Sequence, residues 1–300
     1  MIVIVFKETR GSVLLSRKAR KLNKYYSERE KAGYYGFDML INNTPTPQRI
    51  RWKVKADEER ASLKVMIVTS CYRPFALLVL DPTVFFFSLW ISFSWAILYM
   101  LFSIIPYAFS TNYHFSLQET GAVFTSVSAA SAVATVLSIV QDTIANRYNK
   151  LSSAPEGRLT FACYESALLP IGLFIFGWTA QPGIHWIVPA IALGLSTIGI
   201  FFIYLAVFLY LADTYHRYAS SAIAAQSFCR NLLGGSFPLF TKRLFDVMAT
   251  PNVGGQGGAR FGGASSFLGA VGVVLTAVPW VLALYGPEIR RRSRFASALS

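Results

Sequence analysis

Arg230 and Asn231 stand in the middle of a long apolar stretch, with Gln226 four residues before the arginine and Gly234 four after it. Residues four apart share a helix face, so a helix here carries Gln, Arg and Gly where a lipid-facing surface would carry Leu. An ionisable group at the centre of a membrane helix costs about 2.5–3.5 kcal/mol on insertion scales and normally turns inward to a partner. Two readings follow: the wall of a polar cavity that holds a solute by charge and hydrogen bonds, or a structural clamp between helices. Glu165, inside another apolar stretch, poses the same choice. Aromatic side chains offer a second kind of contact. Trp90, Trp95 and Tyr99, with Tyr204 and Tyr210, are of the type that stacks on flat solutes or holds a cation over a ring face; ordinary bundle packing is the alternative.

Bond-making chemistry finds no footing. The chain contains no H-E-x-x-H, no G-x-S-x-G and no G-x-x-x-x-G-K-[ST], the spacings that metal, nucleophile and phosphate chemistry would use. His114, His185 and His216 are scattered, and Cys71, Cys163 and Cys229 are an odd number without metal-type spacing. No catalytic residue, metal site or cofactor is expected, and the chain is not read as an enzyme. Without a P-loop, any transport would use an ion gradient or run downhill.

The elements that must hold these residues are six apolar stretches: Pro82–Phe109, Leu117–Val140, Leu159–Ala180, Ile184–Ala212, Tyr218–Phe240 and Ala264–Tyr285. About twenty apolar residues in a helix cross the roughly 30 Å hydrocarbon core, and in lipid each backbone amide must bond within its own segment. Composition agrees: 54% of residues are hydrophobic and 14% charged, where a water-soluble domain carries about a quarter charged. The second stretch is rich in Ser and Ala, which predicts close backbone packing and a poor lipid-facing surface. Gly194 and Gly199 in the fourth stretch, and Gly234, Gly235 and Pro238 in the fifth, mark places where a helix can bend. Trp178, Trp186 and Trp280 lie near stretch ends, as interfacial belt residues do.

Charge sets the orientation. The net charge is +13, and 16 of the 28 basic residues precede the first full stretch. Short loops rich in Lys and Arg stay cytoplasmic, which places both termini inside. Of the segments then outside, only 241–263 carries basic residues: Lys242, Arg243 and Arg260. Such charge beside a span anchors it to the membrane surface, and no nucleic-acid partner is expected. Within the arm, Ser16–Lys31 reads as a solvated helix near lipid headgroups, and Asn42–Pro47 (NNTPTP) as a helix breaker. Ile50–Met66 reads as an amphipathic surface helix or a solvated linker.

The segments KETRGSVLLSRKARKL (7–22), RWKVKADEERASL (51–63), RPFALLVLDPTVFFFSLWISFSWAILY (73–99), PEGRLTFACYESALLPIGLF (155–174) and LADTYHRYASSAIAAQSFCRNLLGGSFPL (211–239) carry a more specific likeness. The chain resembles the second half of the fungal drug:proton antiporters with twelve spans, of the major facilitator superfamily. That resemblance implies an all-α membrane protein whose six-transmembrane-helix bundle, 82–286, is equivalent to spans seven to twelve. Residues 1–6 would end span six, 7–81 form the basic cytoplasmic loop, and 287–300 the cytoplasmic tail. It implies proton-coupled export of drugs, polyamines or similar molecules by alternating access, from a multi-pass protein of the plasma membrane. Its partners would be the lipid bilayer, a small-molecule substrate, protons and a missing N-terminal six-helix half. Trp95, Tyr99, Tyr204, Gln226, Arg230 and Asn231 are the candidate cavity wall. The resemblance also assigns gate charges at the cytoplasmic ends: Asp142 with Arg147 and Lys150, Glu156 with Arg158 in a P-E-x-R-L group, and Asp213 with Arg217, where helix capping by Asp213 is the alternative. The competing function is a non-transporting six-span protein that regulates or pairs with a full transporter.

Overall fold

A computed structural model describes residues 11–34, 37–41, 44–49, 51–55, 63–147, 159–249 and 261–292. The chain divides into two compact units, Met1–Thr69 and Ser70–Ser300.

The first unit opens with helix α1 (Gly11–Lys31), followed by strands β1 (Phe37–Ile41) and β2 (Thr44–Gln48). The strands pair antiparallel, Phe37 opposite Gln48 and Ile41 opposite Thr44. Within the NNTPTP segment, Thr44–Pro47 is therefore strand and not helix. Pro45 and Pro47 lie in a two-stranded ribbon, and proline is tolerated on an edge strand. After the hairpin the chain returns along α1. Arg51 donates from Nη1 and Nη2 to the two carboxylate oxygens of Glu30 at 2.7 and 2.8 Å. The Trp52 N–H donates to Asn23 Oδ1 at 2.7 Å, and Asn23 Nδ2 donates to the Trp52 carbonyl at 2.9 Å. Residues 51–54 carry no helix, and Trp52 bonds Asn23 of α1 through both its N–H and its carbonyl. Helix is present at Lys55 and in α2 (Leu63–Leu80), within the segment expected as an amphipathic helix or a linker; Ile50 and 56–62 lie outside the described residues.

The second unit holds the bundle. Its helices are α3 (Pro82–Tyr113), α4 (Leu117–Arg147), α5 (Leu159–Glu165), α6 (Leu168–Thr179), α7 (Ile187–Tyr215), α8 (Ala219–Val247), α9 (Gly262–Leu275) and α10 (Ala277–Arg292). Among the described residues, five segments are long and apolar enough to cross a membrane: α3, α4, α5 with α6, α7, and α9 with α10 as far as Gly286. The remaining helix, α8, is 29 residues long; its polar residues keep it below that apolarity although its length suffices.

Prolines place the breaks. Pro170 cannot donate to the carbonyl four residues back, at Ser166, and the third stretch turns there between α5 and α6. Pro279 stands four after Leu275, where α9 ends. Pro82 sits in the first turn of α3 behind the cap Asp81, whose buried carboxylate accepts the Thr83 N–H at 3.0 Å. Helices α7 and α8 continue as helix through Gly194, Gly199, Gly234 and Gly235, the residues expected to let them bend. Two glycines where α6 meets α7 also have a packing role. A Cβ on Gly199 would lie 2.5 Å from the Leu169 backbone nitrogen, and one on Gly172 2.7 Å from the Ala192 carbonyl oxygen. These are notches that let α6 and α7 touch backbone to backbone, the packing that replaces hydrophobic drive in lipid.

The core lies along α3, with 67% of its most apolar window buried against 17% for α4. Within this chain the small residues of α4 meet α7 where Gly194 faces Ala130 and Ser126, Phe124 meets Phe102 of α3, and Val133, Val136 and Ile139 are exposed.

Two outcomes are expected. Gly199→Ala should destabilise the bundle by about 1–3 kcal/mol through overpacking, read as a lower thermal midpoint in detergent. Gly235→Ala, with nothing within 4 Å of its Cβ, should be neutral or stabilising by up to about 1 kcal/mol. In the first unit, the Arg51 guanidinium bonded to Glu30 holds that carboxyl below its usual value of 4.5. A depressed folded-state value means the clasp contributes fully above about pH 4.5 and is lost as pH falls through the lowered value. Amide exchange at Trp52 should accelerate over that acid range, and Glu30→Gln should give the fast rate at neutral pH.

Candidate functional site

Arg230 is half-buried midway along α8, and its guanidinium lies among rings from two other helices. Trp95 of α3 is 4.6 Å from it, measured to the ring centroid; Tyr204 and Phe208 of α7 are at 5.1 and 5.9 Å. Nη1 also donates to the Tyr204 hydroxyl. The rings support one another: Trp95 and Tyr204 are 5.5 Å apart, Trp95 and Tyr99 5.7 Å, and Tyr204 stacks on Phe208 at 4.4 Å. Cation–π contacts of this kind contribute about 0.5–2 kcal/mol each, more where water is excluded. They explain how an arginine is tolerated at this depth without an acid, for no carboxylate among the described residues is within 4.0 Å of it. Its Nε is buried without an acceptor.

Gly234 makes the arrangement possible. A Cβ there would lie 2.8 Å from Trp95 Cδ1 and 3.4 Å from Tyr99 Cδ2. Only a bare backbone lets the indole lie flat on α8 and reach the guanidinium one turn away.

The six expected wall residues divide. Trp95, Tyr99, Tyr204 and Arg230 come together, with Tyr99 39% exposed at the open edge. Gln226 is fully buried, its Nε2 donating to Ser227 Oγ at 3.1 Å. Asn231 is exposed on α8 and makes no hydrogen bond to the cluster. Trp90 and Tyr210, the other aromatics considered, pack in the core against Phe87. Phe208 belongs to the cluster and carries no signal beyond standing one turn after Tyr204.

Of the charges expected at the cytoplasmic ends, Asp142 and Arg147 are exposed in the last turns of α4 and form no ion pair among the described residues. Asp213 is half-buried within the last turn of α7, which runs on to Tyr215, so it caps no following helix. The Arg217 side chain, Lys150, Glu156 and Arg158 lie outside the described residues. Glu165 accepts a hydrogen bond from Gln141, joining α5 to α4 as a clamp; Asp142 lines the same narrow cavity of about 50 Å³. A larger cavity, about 640 Å³ between α3, α9 and α10, is lined by apolar residues only, Phe86, Leu89 and Val281 among them.

Residues 20–238 match the model of the Major Facilitator Superfamily. The chain belongs to that superfamily. Its fold is accordingly an integral, multi-pass, all-α membrane bundle of the facilitator type, and the superfamily is one of transporters, not enzymes. Similar proteins are fungal. They include the multidrug transporter FLR2 of Candida glabrata, 32% identical over 98% of this chain and 46% of its own length. Fluconazole resistance protein 1 of Saccharomyces cerevisiae is 29% identical over 98% of this chain and 49% of its own length. Efflux pump atB of Aspergillus terreus is 31% identical over 99% of this chain and 58% of its own length. The chain spans about half the length of the relatives it matches. No solved structure matches it.

Gly234→Ala should push Trp95 off α8 and expose the guanidinium. A red-shifted indole emission is expected, and the shift should vanish in a Trp95→Phe background, which isolates this tryptophan from the other five.

Proposed function

We propose that this chain is the second half of a twelve-span secondary exporter that exchanges protons for drugs or similar small organic molecules by alternating access. The observation that carries the reading is the Arg230, Tyr204, Trp95 and Tyr99 cluster, built at mid-span height where α3, α7 and α8 meet. In transporters of inverted or parallel repeats the substrate site lies near the midplane, on the surface shared by the two halves. A half-buried cation with rings around it and one aromatic edge left open has the composition of such a wall. Gln226 supports it from behind, and Asn231 extends the polar surface along α8.

The exposed face of α4 fits the same reading. Ala122, Thr125, Ser128, Ala129 and Ala132 are all exposed there, small enough to admit a close helix neighbour, which the missing N-terminal six-helix half would supply. In this reading Asp142, Arg147, Glu156, Arg158, Asp213 and Arg217 lie at the cytoplasmic ends and pair across the gate when the bundle faces outward. Both termini are then cytoplasmic and the plasma membrane is the site of action. The proton gradient, which the resemblance to drug:proton antiporters implies, is the energy source in this reading.

The test is proton-driven efflux of a fluorescent drug from vesicles holding this chain alone or joined to a matching N-terminal half. Efflux is expected only with both halves, is expected to collapse when the gradient is discharged, and should fall about tenfold or more in Arg230→Gln if the guanidinium contacts substrate. No efflux from either preparation, with insertion verified, overturns the reading in favour of a six-span protein that does not transport.

A further inference from the structure

A guanidinium offers five N–H donors, and the cluster uses one of them, on the Tyr204 hydroxyl. The ring faces of Trp95, Tyr204 and Phe208 spread the charge without accepting hydrogen bonds in the plane of the guanidinium. Nε–H is buried with no acceptor, and no acid among the described residues reaches the group. A buried donor left bare costs about 1–3 kcal/mol, more when charged, so the site is short of an acceptor. Lysines and histidines are absent from the cluster, and the charge near it is a single fixed positive one.

We propose that the cluster selects amphiphilic organic anions: a flat apolar body stacked beside Trp95 and Tyr99, with a carboxylate, sulfonate or sulfate accepting from Arg230. This rests on the reading of the cluster as a substrate wall and narrows it. Polyamines and other cations, which the family resemblance admits, meet a like charge here that the tyrosine hydroxyl and the ring faces do not cancel. A planar fork of donors suits a planar or tetrahedral oxyanion, and the open edge at Tyr99 leaves room for the apolar body.

The experiment uses two probes of one shape and opposite charge, naphthalene-2-sulfonate and 2-naphthyltrimethylammonium. Their binding is measured by equilibrium dialysis to nanodiscs holding this chain, alone and joined to a matching N-terminal half. The sulfonate is expected to bind roughly ten- to a hundredfold tighter, the range of a hydrogen bond to a charged group. Arg230→Gln should abolish the difference and Arg230→Lys should keep part of it, while Trp95→Phe should weaken both probes and leave the preference. Equal binding, tighter binding of the ammonium, or binding of neither probe overturns the proposal whatever the variants do. A preference seen in the chain alone and lost in the joined protein also overturns it, by assigning the counter-charge of Arg230 to an acid of the other half. Because binding is read without transport, anion preference with no efflux refutes only the export reading, and efflux without anion preference refutes only this one.

Discussion

A positive charge inside an apolar bundle must be surrounded, and the centre of this protein is arranged around that constraint. Among the described residues no acid reaches Arg230, so its charge rests on the faces of Trp95, Tyr204 and Phe208 and on one hydroxyl. That solution requires three helices to converge at one height. It also requires α8 to present no side chain where the indole lies, and Gly234 meets this need. The packing of α3 against α8 and the tolerance of Arg230 are therefore one problem with one solution.

The rest of the bundle follows from the weakness of hydrophobic drive between helices in lipid. Contact has to come from close approach, and Gly172 and Gly199 supply it between α6 and α7. Prolines take the complementary role. Pro170 and Pro279 release the carbonyls of Ser166 and Leu275, so the third and sixth stretches are each built from two shorter helices. Helices α3, α7 and α8, which carry the cluster, continue as helix even through Pro106 in α3 and Pro238 in α8.

The first unit obeys water rules instead. Most charges of α1 are exposed, and the Arg51–Glu30 and Trp52–Asn23 pairs hold Arg51 and Trp52 against α1 after the hairpin. Nothing in its local sequence distinguishes this from a solvated linker, because the partners are 21 and 29 residues apart. Periodicity reports on neighbours along the chain and is silent about such pairs.

By itself the sequence determines that there are apolar helices, where they lie, and that Arg230 is the costly residue among them, because length, apolarity and charge are properties of local segments. Family membership is equally legible, since the matching segments run through most of the chain. Only the tertiary structure decides which of the polar and aromatic candidates meet. Trp95 joins Arg230 from a helix more than a hundred residues away, while Gln226, on the expected face, is fully buried and bonds its neighbour Ser227, and Trp90 goes to the core. It also decides that Gly172, Gly199 and Gly234 are points of close contact, and that α4 shows most of its surface. Each of these depends on what lies across the gap between two helices, a distance that helix-periodic sequence does not encode.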